Sequence, residues 1–283
     1  MHAIDQEVHG LPSHIAEIHE RAGEWWRLAG VVEGAVVMGH GGDGNLFRHA
    51  YAAHLQCIEN FGDNSSTIYA GVISQSPSGT AGSLVKVGSG TLTFKGLDTL
   101  AGTVTVNGGA FVADGAIAGG ITVNSGATLA GAGTVNGAVT INSGATFLPG
   151  STVTNGAATN RMSTLTASSL TFGSGSVVTV NINGPTNYTQ FTSSGPVSLG
   201  GATLQANLNY KPAPTDVFYI VLNNSSSATT PGFVGLAEGA VIHFSNGYLG
   251  RISYVGTGDG TAGNDVEIYN LAKGGAGTAI FFQ

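Results

Sequence analysis

Three consecutive stretches of this chain carry nearly the same line of residues: 103–119 (TVTVNGGAFVADGAIAG), 120–137 (GITVNSGATLAGAGTVNG) and 138–156 (AVTINSGATFLPGSTVTNG). Val104 and Ile121 lie 17 residues apart and Ile121 and Val139 lie 18 apart, a period too short for a unit that folds alone. Each line opens with an alternating run such as Val104-Thr105-Val106, the period-2 pattern of a strand with one buried face. A turn cluster follows, Asn107-Gly108-Gly109, Asn124-Ser125-Gly126 or Asn142-Ser143-Gly144, made of residues that tolerate positive φ and bond their own backbone. A second short strand comes next, at 110–113, 127–130 or 145–148.

One such unit cannot stand by itself. Its few inward side chains are each worth roughly 1.5–3 kcal/mol when fully buried, whereas ordering its backbone costs roughly 1–2 kcal/mol per residue. If each unit is one coil of a solenoid, Val104, Ile121 and Val139 fall above one another and every strand pairs with the coils above and below. The interior is then one apolar column. Asn107, Asn124 and Asn142, with Gly109, Gly126 and Gly144, form the expected turn ladder. The needs of the turn explain the asparagines; stacked amides are the alternative.

Composition agrees with a β-rich solenoid. Of 283 residues 42% are apolar, enough for a sizeable core, while only 9% are charged against a usual share of about 25%. Gly accounts for 46 residues, and Thr, Ser and Asn dominate the polar remainder. The net charge of −7 with no basic stripe argues against nucleic acid as a partner. A single cysteine, Cys57, excludes an intrachain disulfide framework. The best apolar run, 28–38, is short and interrupted by Glu33, and the opening residues MHAIDQEVH do not read as a signal peptide.

Composition also divides the chain near residues 60–66. The first 60 residues hold seven of the eight His, both Trp, the Cys and 11 of the 25 charged residues. Residues 13–27 and 45–59 fit amphipathic helices, the second with Phe47, Tyr51, Leu55 and Ile58 in register. Residues 1–60 are therefore expected to be a helical cap on an open solenoid end, or else an extension foreign to the natural product. Residues 61–270 are expected to be the solenoid and 271–283 a tail. After the regular coils, 165–183, 204–208, 216–222, 241–244, 250–255 and 265–269 read as strands that finish the column. At roughly 18 residues a coil this predicts about ten or eleven coils and a rod of about 50 Å, fewer if the later coils are longer.

The stretch 83–96 (SLVKVGSGTLTFKG), the three repeats, and the run 233–269 with GLAEGAVI and ISYVGTGDGTAGNDVEIY resemble the autotransporter-associated β-strand repeats of passenger regions in bacterial type V secreted proteins. The resemblance covers roughly residues 68–270. It implies an all-β, single-stranded, right-handed parallel β-helix, export to the cell surface or medium, and a role as a stalk or adhesive scaffold. It further implies an outer-membrane β-barrel translocator, which these residues do not contain; surface glycans or proteins are the partners expected of neutral Thr, Ser and Asn faces. No cofactor or metal is expected.

Chemistry has few candidates. Parallel β-helices also host enzymes that cleave polysaccharides with clustered carboxylates, and Asp98 and Asp114, 16 residues apart, could share one face. Two solvated acids with no His or Arg beside them are the plainer reading. The segment 258–266 superficially resembles a glycine–aspartate calcium repeat, but it occurs once where that motif needs tandem copies. His14 and Glu17 would share a helix face without the compact spacing of a metal motif. Thr91-Leu-Thr93, Thr103-Val-Thr105 and Thr152-Val-Thr154 resemble ice-binding threonine arrays, yet their separations miss the coil period. The chain reads as a non-catalytic surface β-helix, with a polysaccharide-binding or polysaccharide-cleaving protein as the alternative.

Overall fold

The computed structural model describes residues 66–74, 82–154, 163–260 and 263–274, with further strand segments at Ala35–Val36, His49–Tyr51, His54–Cys57 and Ala157–Asn160. Among the described residues there is no helix, and most strand pairs of the repeat region are parallel.

The near-repeats stack as their period requires. Val104 pairs with Ile121, Ile121 with Val139, Val139 with Leu170 and Leu170 with Val197, so one residue per coil rises along a first face. A second face carries seven strands in parallel succession: Thr67–Tyr69, Thr91–Phe94, Ala110–Ala113, Thr128–Gly131, Thr146–Pro149, Val177–Gly184 and Thr203–Leu208. A third face is built on the register Ile73, Asp98, Ile117, Val135, Ala167, Ser193 and Asn223. Each coil thus has three sides enclosing one interior.

That interior is filled by the inward half of each alternating strand. Val104, Val106, Ile121, Val123, Val139, Ile141, Leu129 and Phe147 are at most 1% exposed. Aromatic rings reinforce the column: Tyr69 stacks on Phe94 at 5.7 Å and Phe94 on Phe111 at 6.3 Å. Further along, Phe147, Phe172 and Phe191 form a triangle with centroids 5.3–5.8 Å apart, within the range where aromatic pairs add to area burial.

From Thr67 to Leu208 the second face has seven levels among the described residues, where ten or eleven coils were expected over 67–269, and these rise about 30 Å. Two causes are visible. The step from Thr146 to its partner Val177 is 31 residues and the next, to Thr203, is 26, because the later coils carry excursions. One excursion is the hairpin of Ser151–Thr154 with Ala157–Asn160, which lies over the outer side of the second face. There it helps bury Ala110, Val112 and Ala130 around Val153, so strand 110–113 is apolar on both sides.

The second cause is the end of the chain. The strands predicted at 241–244, 250–255 and 265–269 do not add coils. Asp265–Lys273 pairs antiparallel with Phe218–Asn223, Tyr248–Gly256 pairs antiparallel with Asp265–Lys273, and Val241–His243 with Tyr248–Gly256. Strand alternation is the same in both arrangements, so it could not tell a parallel coil from an antiparallel closure. The closing strand also runs through Lys273 into the predicted tail, whose residues 275–283 lie outside the described residues.

At the other end, the helix predicted over 45–59 is corrected. His49–Tyr51 pairs in parallel with Val72–Ser74, and His54–Cys57 pairs in parallel with Leu84–Lys86 and with Ala35–Val36. Strand pairing therefore crosses the predicted boundary at 60. The helical spacing of Tyr51 and Leu55 lost to sheet pairing, which gives His54–Cys57 a parallel partner on each side. The helix predicted over 13–27 lies outside the described residues.

Candidate functional site

The corner between the first and second faces holds the ladder residues. Asn124 Nδ2 donates to Asn107 Oδ1 at 2.6 Å and Asn142 Nδ2 donates to Asn124 Oδ1 at 2.7 Å, so the three amides form a continuous chain of hydrogen bonds. The turns are closed by Ala127 N–H donating to Asn124 O and Ala145 N–H to Asn142 O, both at 3.0 Å. Gly126 and Gly144 sit at the third turn position with φ of 78° and 75°, the sign a type II turn demands there. Gly109 has φ of 59°, and a Cβ on it would lie 2.2 Å from Gly90 O. The turn is closed by the main-chain carbonyl, which any residue would supply, whereas the Asn side chain binds the next coil, so the stacked amides rather than the needs of the turn account for Asn here.

Beside the amides runs a file of hydroxyls that spacing arguments missed. On the outward side of the first face, Thr105, Thr122, Thr140, Thr171 and Ser198 are paired in register from coil to coil. Thr171 is exposed and the others are half-buried. The signal was present as Thr-x-Asn in each repeat line, at Thr105-Asn107, Thr122-Asn124 and Thr140-Asn142. The Thr-x-Thr triplets singled out from the sequence do not form an array. Thr91 and Thr93 lie on the second face and are buried, whereas Thr103 and Thr105 belong to the first and Thr152 and Thr154 to the hairpin. A second amide file extends the pattern on the last two coils, with Asn207 Nδ2 donating to Asn181 Oδ1 at 2.9 Å and Asn209 Nδ2 to Asn183 Oδ1 at 2.8 Å.

The two carboxylates considered for chemistry are not brought together. Asp98 pairs with Ile117 and points inward, only 1% exposed, while Asp114 lies three residues earlier in the register, at the preceding corner, where Oδ1 accepts the Ala132 N–H at 3.3 Å. Asp98 Oδ1 accepts the Leu100 N–H at 2.8 Å and Oδ2 has no partner. Burial pushes its pKa up to about 6, an effect only partly offset by the Leu100 N–H. Sealed from solvent, Asp98 offers nothing to a polysaccharide.

Lys86 is a second buried charge. It is fully buried, pairs with Val106, and its Nζ donates to Val87 O at 2.8 Å and to Gly88 O and Gly108 O at 3.2 Å. Alternation from Leu84 already pointed Lys86 inward, as alternation from Leu100 did for Asp98.

The glycine–aspartate segment is held as a loop by its last acid. Buried Asp265 accepts the Asn223 N–H at 2.7 Å and the Asp259 N–H at 3.0 Å, so its carboxylate faces N–H donors, the opposite of what a cation wants. Burial raises its pKa, and those N–H groups partly restore it. Around it Asn223 Nδ2 binds Ser227 O and Thr229 Oγ1, and Asn264 Nδ2 binds Ser225 O and Ser227 O. Among the described residues no group of three His, Cys, Asp or Glu could hold a metal ion; His14, His19 and Glu17 lie outside them.

An open groove of about 740 Å³ lies in the closure, between Pro231, Phe233 and Leu236 on one side and Tyr254 and Val255 on the other. The polar atoms there serve the fold. Tyr254 Oη accepts the Phe233 N–H at 3.0 Å and donates to Leu236 O at 2.7 Å, and Glu238 Oε2 accepts the Tyr254 N–H at 2.7 Å. Burial, reinforced by the Glu238 charge, raises the Tyr254 pKa, so its phenol holds its proton at neutral pH. No protein-family model matches the chain, and no curated protein matches it as a relative.

Proposed function

We propose that this chain is a right-handed parallel β-helix exposed on, or released from, the surface of a bacterium, acting as a non-catalytic stalk or adhesin-like passenger of an autotransporter. The observation that carries this reading is the outward Thr file 105–122–140–171 beside the amide ladder 107–124–142, a regular and uncharged face on coils locked to one another. Such a face suits repeated weak contacts along an extended glycan or protein partner, where avidity grows with the number of rungs engaged. The right hand follows from the general preference of parallel crossovers within one sheet. Passage through an outer-membrane β-barrel translocator, supplied from outside these residues, belongs to the same reading.

The test is binding of the full chain to a panel of neutral and acidic polysaccharides, with and without Ca²⁺, alongside a Thr122→Lys/Thr140→Lys double variant. Retention by wild type, loss in the double variant, and no new reducing or unsaturated ends support the adhesive reading. Product release that disappears in Asp98→Ala or Asp114→Ala would sink it in favour of a cleaving enzyme.

A further inference from the structure

The third face contains one residue whose chemistry conflicts with its place. Counting along its inward column, the levels run Ile73, Asp98, Ile117, Val135: a carboxyl between two isoleucines. Its Oδ1 has the Leu100 N–H, and its Oδ2 is buried with no hydrogen-bond partner. An ionised carboxylate in a hydrocarbon column is far costlier than a neutral acid there, because the single Leu100 N–H replaces only part of the water it gave up. We propose that Asp98 is a proton-operated latch in the coil formed by residues 84–100: the neutral acid is the form the column holds closed, and ionisation loosens this coil against its neighbours.

Among the described residues no nearby charge takes over the work of the proton. The strands stacked on it, Val72–Ser74 and Ala116–Ile117, have no titratable side chain. Lys86, in the same coil, directs its ammonium at the carbonyls of Val87, Gly88 and Gly108, at the corner between the first two faces. Exposed Lys95 and half-buried Asp114 sit at the corner before the third face. Tyr69 donates its hydroxyl to Val72 O at 2.9 Å. Among the described residues the shift of Asp98 to about 6 arises from burial, with the Leu100 N–H opposing it and no charged side chain contributing.

The direction follows from linkage. The folded coil binds the proton more tightly than the unfolded chain, so this contribution to stability is complete below the ordinary aspartate range and is lost as pH rises through 6. Between pH 4.5 and 7.5 the opening equilibrium of the coil should rise roughly twenty- to thirtyfold. Asp265 and Glu267 in the closure are also shifted upward, so the readout must be local.

Hydrogen–deuterium exchange of the full chain, corrected for the intrinsic pH dependence of exchange, gives that readout for peptides spanning 84–100. Wild type should lose protection there as pH rises, whereas Asp98→Asn, which cannot ionise, should show a flat profile. Asp98→Leu, close in size and apolar, serves should the amide variant fail to fold. Carboxyl ¹³C NMR of wild type reads the same group directly and should place its titration near 6. An Asp98 resonance titrating near 4, or an equal pH slope in wild type and in a folded variant, overturns the proposal.

Discussion

The stacked coils between 84 and 208 and the antiparallel closure between 218 and 273 are both sheet, yet they are held by different means. In the stack each level repeats the one below, so burial, amide pairing and turn geometry recur, and stability is close to a sum over like interfaces. In the closure nothing recurs. Asp265 binds Asn223 and the 259 loop, Thr229 and Asn264 bind segment 223–229, Asn246 Nδ2 binds Leu208 O, and Arg251 binds Gly239 O, each once. The inward column of the third face marks the transition, passing from Ile117, Val135 and Ala167 to Ser193 and Asn223. The repeat builds the rod, and single polar contacts end it, covering a sheet edge that would otherwise invite pairing.

That contrast is most severely tested by removing packing from the stack. Phe147 touches Phe172 and Phe191 and is fully buried, so Phe147→Ala should cost about 3–5 kcal/mol. Denaturant unfolding followed by circular dichroism measures it, and a loss below about 1 kcal/mol would mean that the aromatic triangle is not what joins the early coils to the late ones.

A polar deletion in the closure should be smaller and should stay local. Asp265→Ala leaves the Asn223 and Asp259 N–H groups without their acceptor, for an expected cost of about 2–3 kcal/mol. Hydrogen exchange should accelerate in 218–223 and 257–265 while 104–148 keeps its protection. Uniform loss across both regions would show that the closure and the stack unfold as one unit.

The same contrast explains what was legible in the sequence. The register Val104, Ile121, Val139 was readable because a period-2 strand repeated at a fixed interval has one way to stack its apolar side. The Thr file was equally present in the three lines, but it emerges only when each repeat is aligned on its own period instead of searched for Thr-x-Thr. Lys86 and Asp98 were hidden by the expectation that charged residues face water, although alternation from Leu84 and Leu100 turned both inward. The hairpin had its own signal in Asn155-Gly156, which was read as the end of the third repeat. For the closure no local pattern sufficed. Asp265 and Asn223 are 42 residues apart, and nothing in either neighbourhood names the other.

Within the stack, glycines of one motif should differ in a way the closure has no counterpart for. Gly109 and Gly126 both have positive φ, but a Cβ at Gly109 meets Gly90 O and one at Gly126 meets nothing within 4 Å. Gly126→Ala should cost about 1 kcal/mol, the left-handed penalty alone, and Gly109→Ala about 2 kcal/mol or more, because backbone must also move. Equal shifts in thermal midpoint for the two variants would mean that the coils are not spaced as closely as the register requires.

The smallest effect belongs to the amide ladder, and it separates a shared ladder from three independent turns. Asn124 both donates to Asn107 and accepts from Asn142, so Asn124→Ala removes two bonds, whereas Asn107→Ala and Asn142→Ala each remove one rung of the chain of amides. These bonds lie at the partly exposed corner, where water competes, so the central change should cost about 1 kcal/mol and each terminal one about half as much. A double-mutant cycle between Asn107 and Asn142 carries the decisive information. If the two rungs are independent, the two changes add; if polarisation runs through Asn124, the pair deviates from additivity while the same pair in an Asn124→Ala background does not.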